Sequence, residues 1–196
     1  MQIATQITEK LNPGHTPVFA GDMPVYALGK ETPWKYPEIS KRSVWVMGPL
    51  HNEQAFMDLI GNWLEGSGWT QIYESAGIST PGRIESFLNV SDIKRTRYAH
   101  KVTSSRLLKV AQKAHQAIVD DTSYEDWKTN LEKKSVKAEF CFTVIDYESL
   151  LFKFIKNIRS SDFDLHIACL HKMVMCLFAL DHINYSRWMP VLLKDM

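Results

Sequence analysis

The chain is poor in the features that mark several large classes of protein. Its longest apolar run, Met173 to Leu180, is flanked by Lys172 and Asp181 and falls far short of the roughly 20 residues that a membrane span requires, so no membrane partner is expected. Only three cysteines occur, Cys141, Cys169 and Cys176. An odd number in apolar context, after the polar start MQIATQITEK, points to a reducing compartment and a nuclear or cytoplasmic protein that is not secreted. The nine glycines form no Gly-rich phosphate loop, and neither a Gly-x-Ser-x-Gly elbow nor a Cys/His nucleophile pairing is present. Charge of one sign is also lacking: the net charge is +1, so any affinity for a polyanion has to come from local clustering.

What the chain does have is a globular composition, 45% hydrophobic and 11% aromatic over 196 residues, enough for one domain or a domain plus a lobe. The first fifty residues hold six of the eight prolines and two short β-like runs, Thr16–Ala20 and Ser43–Met47. A short helical piece and the loop KETPWKYPEISKR separate the runs, which reads as a βαβ-like unit with neighbouring parallel strands. From His51 onward the periodicity is helical. Phe56, Leu59, Ile60, Trp63 and Leu64 recur at i, i+3, i+4, i+7 and i+8 before Gly66. Further helices are expected after Thr80-Pro81, from Ser91 to about Val119 with a buried stripe of Ile93, Leu107, Val110, Ala111, Ala114 and Ile118, over AEFCFTVIDYESLLFKFIKNI, and over FDLHIACLHKMVMCLFALDHI behind a Ser161/Asp164 capping pattern. The expected class is α+β and mostly helical: a two-stranded unit over 1–52 and a helical lobe over 53–196.

Candidate chemistry sits in three places. The carboxylate of Asp22 ends the first apolar run two residues before Pro24, a position that suits either an ordinary helix cap or a catalytic acid held at a strand end. His166, Cys169, His171, Cys176 and His182 lie within one helical stretch. Their spacing lacks the paired ligands of a closed zinc site and fits a packed interior, while His51-x-Glu53 lacks the Pro-Cys-x-x-Cys that zinc deaminases require. The segment SDIKRTRYAHKVTSSRLLKVAQKAHQAIV carries Lys94, Arg95, Arg97, Lys101, Arg106, Lys109 and Lys113 with no acid between Asp92 and Asp120. Such a helix suits phosphate contacts, and equally a solvated face balanced by Asp120-Asp121.

The order of TPVFAGDMPVYALGKETPWKYPEISKRSVWVMGPLHNEQAF resembles the middle of RNase H-like DDE transposases, notably the Mutator-like and hAT-type groups. Over nearly the whole chain, GDMPVYAL, GPLHNEQAF, GSGWT, RTRYAHKVT and DFDLH…INYSRWMP look like transposon-associated proteins of animal genomes. The resemblance implies that Asp22 corresponds to the second of three metal-binding acids and His51 to the histidine after the next strand, with Gly48 or Pro49 where those transposases often carry cysteine. A first Asp is absent from MQIATQITEKLNPGH, and no returning helix bears a final Glu before RWMPVLLKDM. One carboxylate cannot organise two Mg or Mn ions. The implied protein is a transposase-like fragment, an internal piece of an RNase H-like protein. It is catalytically incomplete, needs no cofactor, touches a metal through Asp22 only if other chains complete the site, and retains DNA binding through Lys94, Arg95, Arg97, Lys101 and Arg106. A sheet remnant with exposed edges also implies self-association. The alternative is a helical protein-interaction module with no nucleic-acid role.

Overall fold

The computed structural model describes residues 2–37, 43–75, 77, 79–118 and 121–196. In chain order the elements are α1 (Gln2–Leu11), β1 (Val18–Gly21), α2 (Met23–Lys35), β2 (Val44–Met47), α3 (Pro49–Leu64), α4 (Trp69–Ser75), α5 (Pro81–Leu88), α6 (Ile93–Gln116), α7 (Tyr124–Lys134), α8 (Val136–Ser160), α9 (Phe163–Ala179) and α10 (Ile183–Asp195). The class is α+β and mostly helical. Two compact units divide the chain. One comprises residues 1–55 and 174–196, the other residues 56–173, so the sequence-derived boundary at 52 falls in α3 and the last 23 residues belong with the first 55.

In the first unit, β1 and β2 pair in parallel with Val18 opposite Val44 and Gly21 opposite Met47. The crossover between them is α2, which opens in the manner that Asp-x-Pro favours: the Asp22 side chain accepts a hydrogen bond from the Val25 N–H at 3.1 Å, with Pro24 in the first turn. Gly29 lets α2 lie directly on the indole of Trp45, since a β-carbon there would run into the ring. On its other side Trp45 stacks on Phe19, ring centroids 4.8 Å apart. The same unit docks α10 on α2. The Tyr26 hydroxyl donates to Asp195 Oδ2 at 3.1 Å, Lys30 Nζ lies 2.6 Å from that oxygen, and Trp34 stacks on Trp188. Burial, assisted by the Asp195 carboxylate, raises the Tyr26 pKa.

The second unit packs helices around Phe56, Met57, Leu59, Ile60, Ile84, Leu151, Phe154, Leu170 and Met173, all fully or almost fully buried. Of the α3 stripe read from sequence, Trp63 alone is exposed, at 36%, and it stacks on Phe140. The helix over AEFCF is present as α8, although strand-favouring residues fill it; Ser135 caps its start and Ser161 ends it in the left-handed conformation, φ 55°. That assignment corrects the capping pattern, because Asp162 rather than Ser161 receives the Leu165 N–H that opens α9. The α6 stripe also needs correction. Asp92, not Ser91, caps the helix, which buries Thr96, Ala99, His100, Thr103, Ser104 and Ala111, leaving Val110 65% and Ile118 37% exposed. Its first half packs small polar side chains because His100 has a buried acidic partner on α8. Its second half meets the α7–α8 hairpin through Leu107, Leu108, Ala111, Trp127 and Phe142. The expected helix end at Val119, and Asp120 with it, lie outside the described residues.

Candidate nucleic-acid interface

Asp92 sets the start of α6 by accepting from the Lys94 and Arg95 N–H groups at 3.1 and 3.2 Å. From that fixed start, Arg97, Tyr98, Lys101, Ser104 and Ser105 fall at i, i+1, i+4, i+7 and i+8 and so share a side of the helix. Facing them on α8 are Phe152, Ile155 and Arg159, again spaced by one turn, and together the eight residues enclose a cleft of about 440 Å³. Its size lies in the range of small-molecule sites, about 300–1,000 Å³. Ile155 and Ser104 are buried, Phe152 is half-buried, and Tyr98 stands 69% exposed at the cleft. Three cations and two serine hydroxyls line it, and no carboxylate does. Among the described residues, neither Lys101 nor Arg159 is paired with an acid. Arg159 also belongs to the last turn of α8, where the negative end of the helix dipole favours a cation.

The cleft keeps its shape because α6 and α8 are locked beside it. His100 Nδ1 lies 2.7 Å from Glu148 Oε1, and the two side chains are 6% and 0% exposed. His100 precedes Lys101, and Glu148 sits one turn before Phe152. Burial raises the Glu148 pKa, opposed by the neighbouring His100, and its second oxygen Oε2 has no hydrogen-bond partner. Tyr73 on α4 joins this polar cluster, donating to the Ala99 carbonyl at 3.3 Å and sharing a short hydrogen bond with Thr103. Burial pushes its pKa up to about 12. A cavity of only about 20 Å³ adjoins Tyr73, His100 and Thr103, room for one water molecule and not for a substrate. The cluster therefore acts on the cleft by holding its walls.

Of the basic residues read from the sequence, the fold brings Arg97 and Lys101 to the cleft. Lys94 and Arg106 are exposed elsewhere on α6, and Arg95 turns back to Asp92, its Nε 3.4 Å from Oδ2. Arg159, missed in the sequence reading, completes the set; its signal was the one-turn spacing from Phe152 and Ile155 on α8. Asp22 and His51 stand elsewhere, each just past the carboxyl end of one of the two paired strands. Gly48 N–H continues the ladder to the Gly21 carbonyl at 2.7 Å, and the His51 ring lies beside Gly48. Among the described residues, no group of three or more His, Cys, Asp or Glu side chains is placed to hold a metal ion. His166 is hydrogen-bonded to Asn157 Oδ1 at 2.8 Å and stacked on Phe154, with its pKa lowered by burial. Cys169 is buried, and burial raises its thiol pKa.

Among the described residues, no helix is long and apolar enough to cross a membrane. No curated protein and no solved structure matches the chain. Residues 111–196 match the model of a family described as a domain of unknown function, DUF8702. The matched segment contains the α8 wall of the cleft, with Phe152, Ile155 and Arg159, and stops short of the α6 wall. The C-terminal 86 residues are thus similar to that family.

Proposed function

We propose that this chain is a catalytically incomplete, transposase-like protein that binds nucleic acid, and that the α6–α8 cleft makes the phosphate contacts. The observation that carries the reading is the convergence of Arg97, Lys101 and Arg159 from two helices on one carboxylate-free cleft. Lys101 and Arg159 bring like charges to the two walls, and an anion between them relieves that repulsion while releasing its own counterions. Serine hydroxyls beside them supply the neutral donors that commonly accompany Arg and Lys on phosphate oxygens. Asp22 supports the non-catalytic half of the reading, because its carboxylate is engaged as the cap of α2 and a two-metal site needs several oxygen ligands together.

The test is binding of a fluorescent 20-mer DNA, single- or double-stranded, measured by anisotropy between 50 and 200 mM salt. Wild-type protein should bind with an affinity that falls as salt rises. The triple reversal Arg97→Glu, Lys101→Glu, Arg159→Glu should flatten the salt dependence by about two to three units of slope, close to one per lost contact on a duplex and ~0.7 on a single strand. Lys94→Glu with Arg106→Glu, which removes exposed charges outside the cleft, should change it less. No affinity for either DNA at 50 mM salt refutes the proposal and favours a protein-interaction module.

A further inference from the structure

Resting on that reading, we infer that the α6–α8 cleft takes an unpaired nucleotide of a single strand, with its base stacked on Tyr98 and its flanking phosphates held by Arg97, Lys101 and Arg159. Three features separate this from general attraction to phosphate. The basic residues stand on both walls of a concavity instead of along one convex helix face, so a strand entering it meets cations on two sides. A duplex offers phosphates on its outside, and to put a base into such a cleft it would first have to unstack and unpair it. An unpaired nucleotide enters without that step.

Tyr98 is the second feature. A tyrosine 69% exposed on the second turn of α6, between Arg97 and Lys101, leaves an aromatic face uncovered beside two cations. The face of a base in a duplex is occupied by its neighbours, whereas an unpaired base is open to stacking on an aromatic ring, which is the usual device of single-strand binding proteins. Third, the lining offers apolar and polar groups side by side: Tyr98 stands with Ser104 and Ser105 on α6, and Phe152 and Ile155 with Arg159 on α8. A nucleotide likewise has an apolar base face and a polar sugar-phosphate edge. The hydroxyls read no base edge in any particular pattern, so the expected binding has little sequence preference.

The experiment compares a labelled oligo(dT) 20-mer with a 20-bp duplex at 50 and 200 mM salt, using wild type, Tyr98→Ala, Tyr98→Phe and the triple reversal. Wild type should bind the single strand more tightly than the duplex. Tyr98→Ala should weaken single-strand binding by roughly tenfold to a hundredfold, the range of one lost base stack, with the salt slope unchanged because no charge is removed. Tyr98→Phe should restore binding, since it returns the ring without the hydroxyl. The side chain is exposed, so these variants should keep the wild-type melting temperature, and a thermal scan verifies it. Equal or tighter duplex binding, or a Tyr98→Ala loss equal on both probes, overturns this inference alone. Absence of binding to both probes overturns it together with the reading on which it rests.

Discussion

Gly61→Ala tests the close approach of α3 to the end of α5 in the second unit. In the middle of a helix this substitution ordinarily stabilises by about 1 kcal/mol, because alanine has less backbone entropy to lose. At Gly61 the added β-carbon would lie 2.9 Å from the carbonyl carbon of Leu88 and 3.1 Å from its Cα, and closer still to the carbonyl oxygen. The obstacle is the backbone at the end of α5, which cannot rotate aside as a side chain would. Overpacking of this kind costs typically about 1–3 kcal/mol, and a rigid wall puts the cost in the upper part of that range. Subtracting the propensity gain leaves a net loss of about 1–2 kcal/mol, or a fall in Tm of roughly 2–8 °C for a chain of this length. Gly82 is the control. It is helical and has open space where a β-carbon would sit, so Gly82→Ala should gain up to about 1 kcal/mol. Urea titrations followed by circular dichroism give both values, provided the m-values agree. If Gly61→Ala proves as stable as wild type or more so, α3 and α5 do not approach as described.

Asp22→Ala should cost about 1 kcal/mol and Asp22→Asn only a few tenths, since Asn caps as well as Asp; tight Mn²⁺ binding lost on Asp22→Asn, measured by calorimetry, would instead restore the metal-ligand role. Glu148→Ala, which leaves His100 buried without its hydrogen-bond partner, should cost about 1–3 kcal/mol in the same urea titrations, and a loss below about 0.5 kcal/mol would refute the latch between α6 and α8. Burial raises the folded-state pKa of Glu148 above its ordinary 4.5, so the folded protein holds that proton more tightly than the unfolded chain does. Its contribution is therefore whole below pH 4.5 and is lost as pH rises through the folded value. Unfolding curves taken from pH 4.5 upward should show wild type losing ground against Glu148→Gln, and a constant difference counts against the assignment. Tyr73→Phe should cost about 1 kcal/mol by leaving Thr103 and the Ala99 carbonyl short of a hydrogen bond; a neutral result in thermal melts would show that this cluster does not hold α4.

The parts of the fold that the sequence announced were those with a strong local signature. SVWVM and the run before Asp22 read as strands through β-branched and aromatic residues, and Asp22 with Pro24 read as a helix start; β1, β2 and α2 stand there. Four helices were not read from the sequence. In α1 the polar MQIATQITEK hides a helix, α4 has only seven residues, α7 buries no residue fully, and α10 contains Pro190. Tertiary contacts support at least two of them. The α7 residues Trp127 and Leu131 pack on the α6–α8 cluster, and Trp188 and Asp195 of α10 dock on α2. The cleft was half legible. Helical spacing grouped Arg97 with Lys101, but Arg159 is 58 positions beyond Lys101, and only the packing of α8 against α6 brings them together. The buried stripe of α6 was misread for a related reason: His100 and Thr103 look like surface residues until Glu148 and Tyr73 supply their partners, and Thr96 is buried beside them with its hydroxyl unpartnered.

The hydrogen bond between Tyr26 and Asp195 spans 169 positions, and this separation imposes an order on the birth of the protein. At a synthesis rate of about 5–20 residues per second, roughly ten to thirty seconds pass between the emergence of the two partners. In that interval residues 56–173 can all be released and can begin to assemble, while Tyr26, Lys30 and Trp34 remain without the helix that covers them. The strands and helix around Tyr26 are therefore made well before the helix that completes their packing. A ribosome-associated chaperone that shields aromatic surface has that interval in which to engage α2, and a translational pause before Ile183 would lengthen it without altering a single contact in the completed fold.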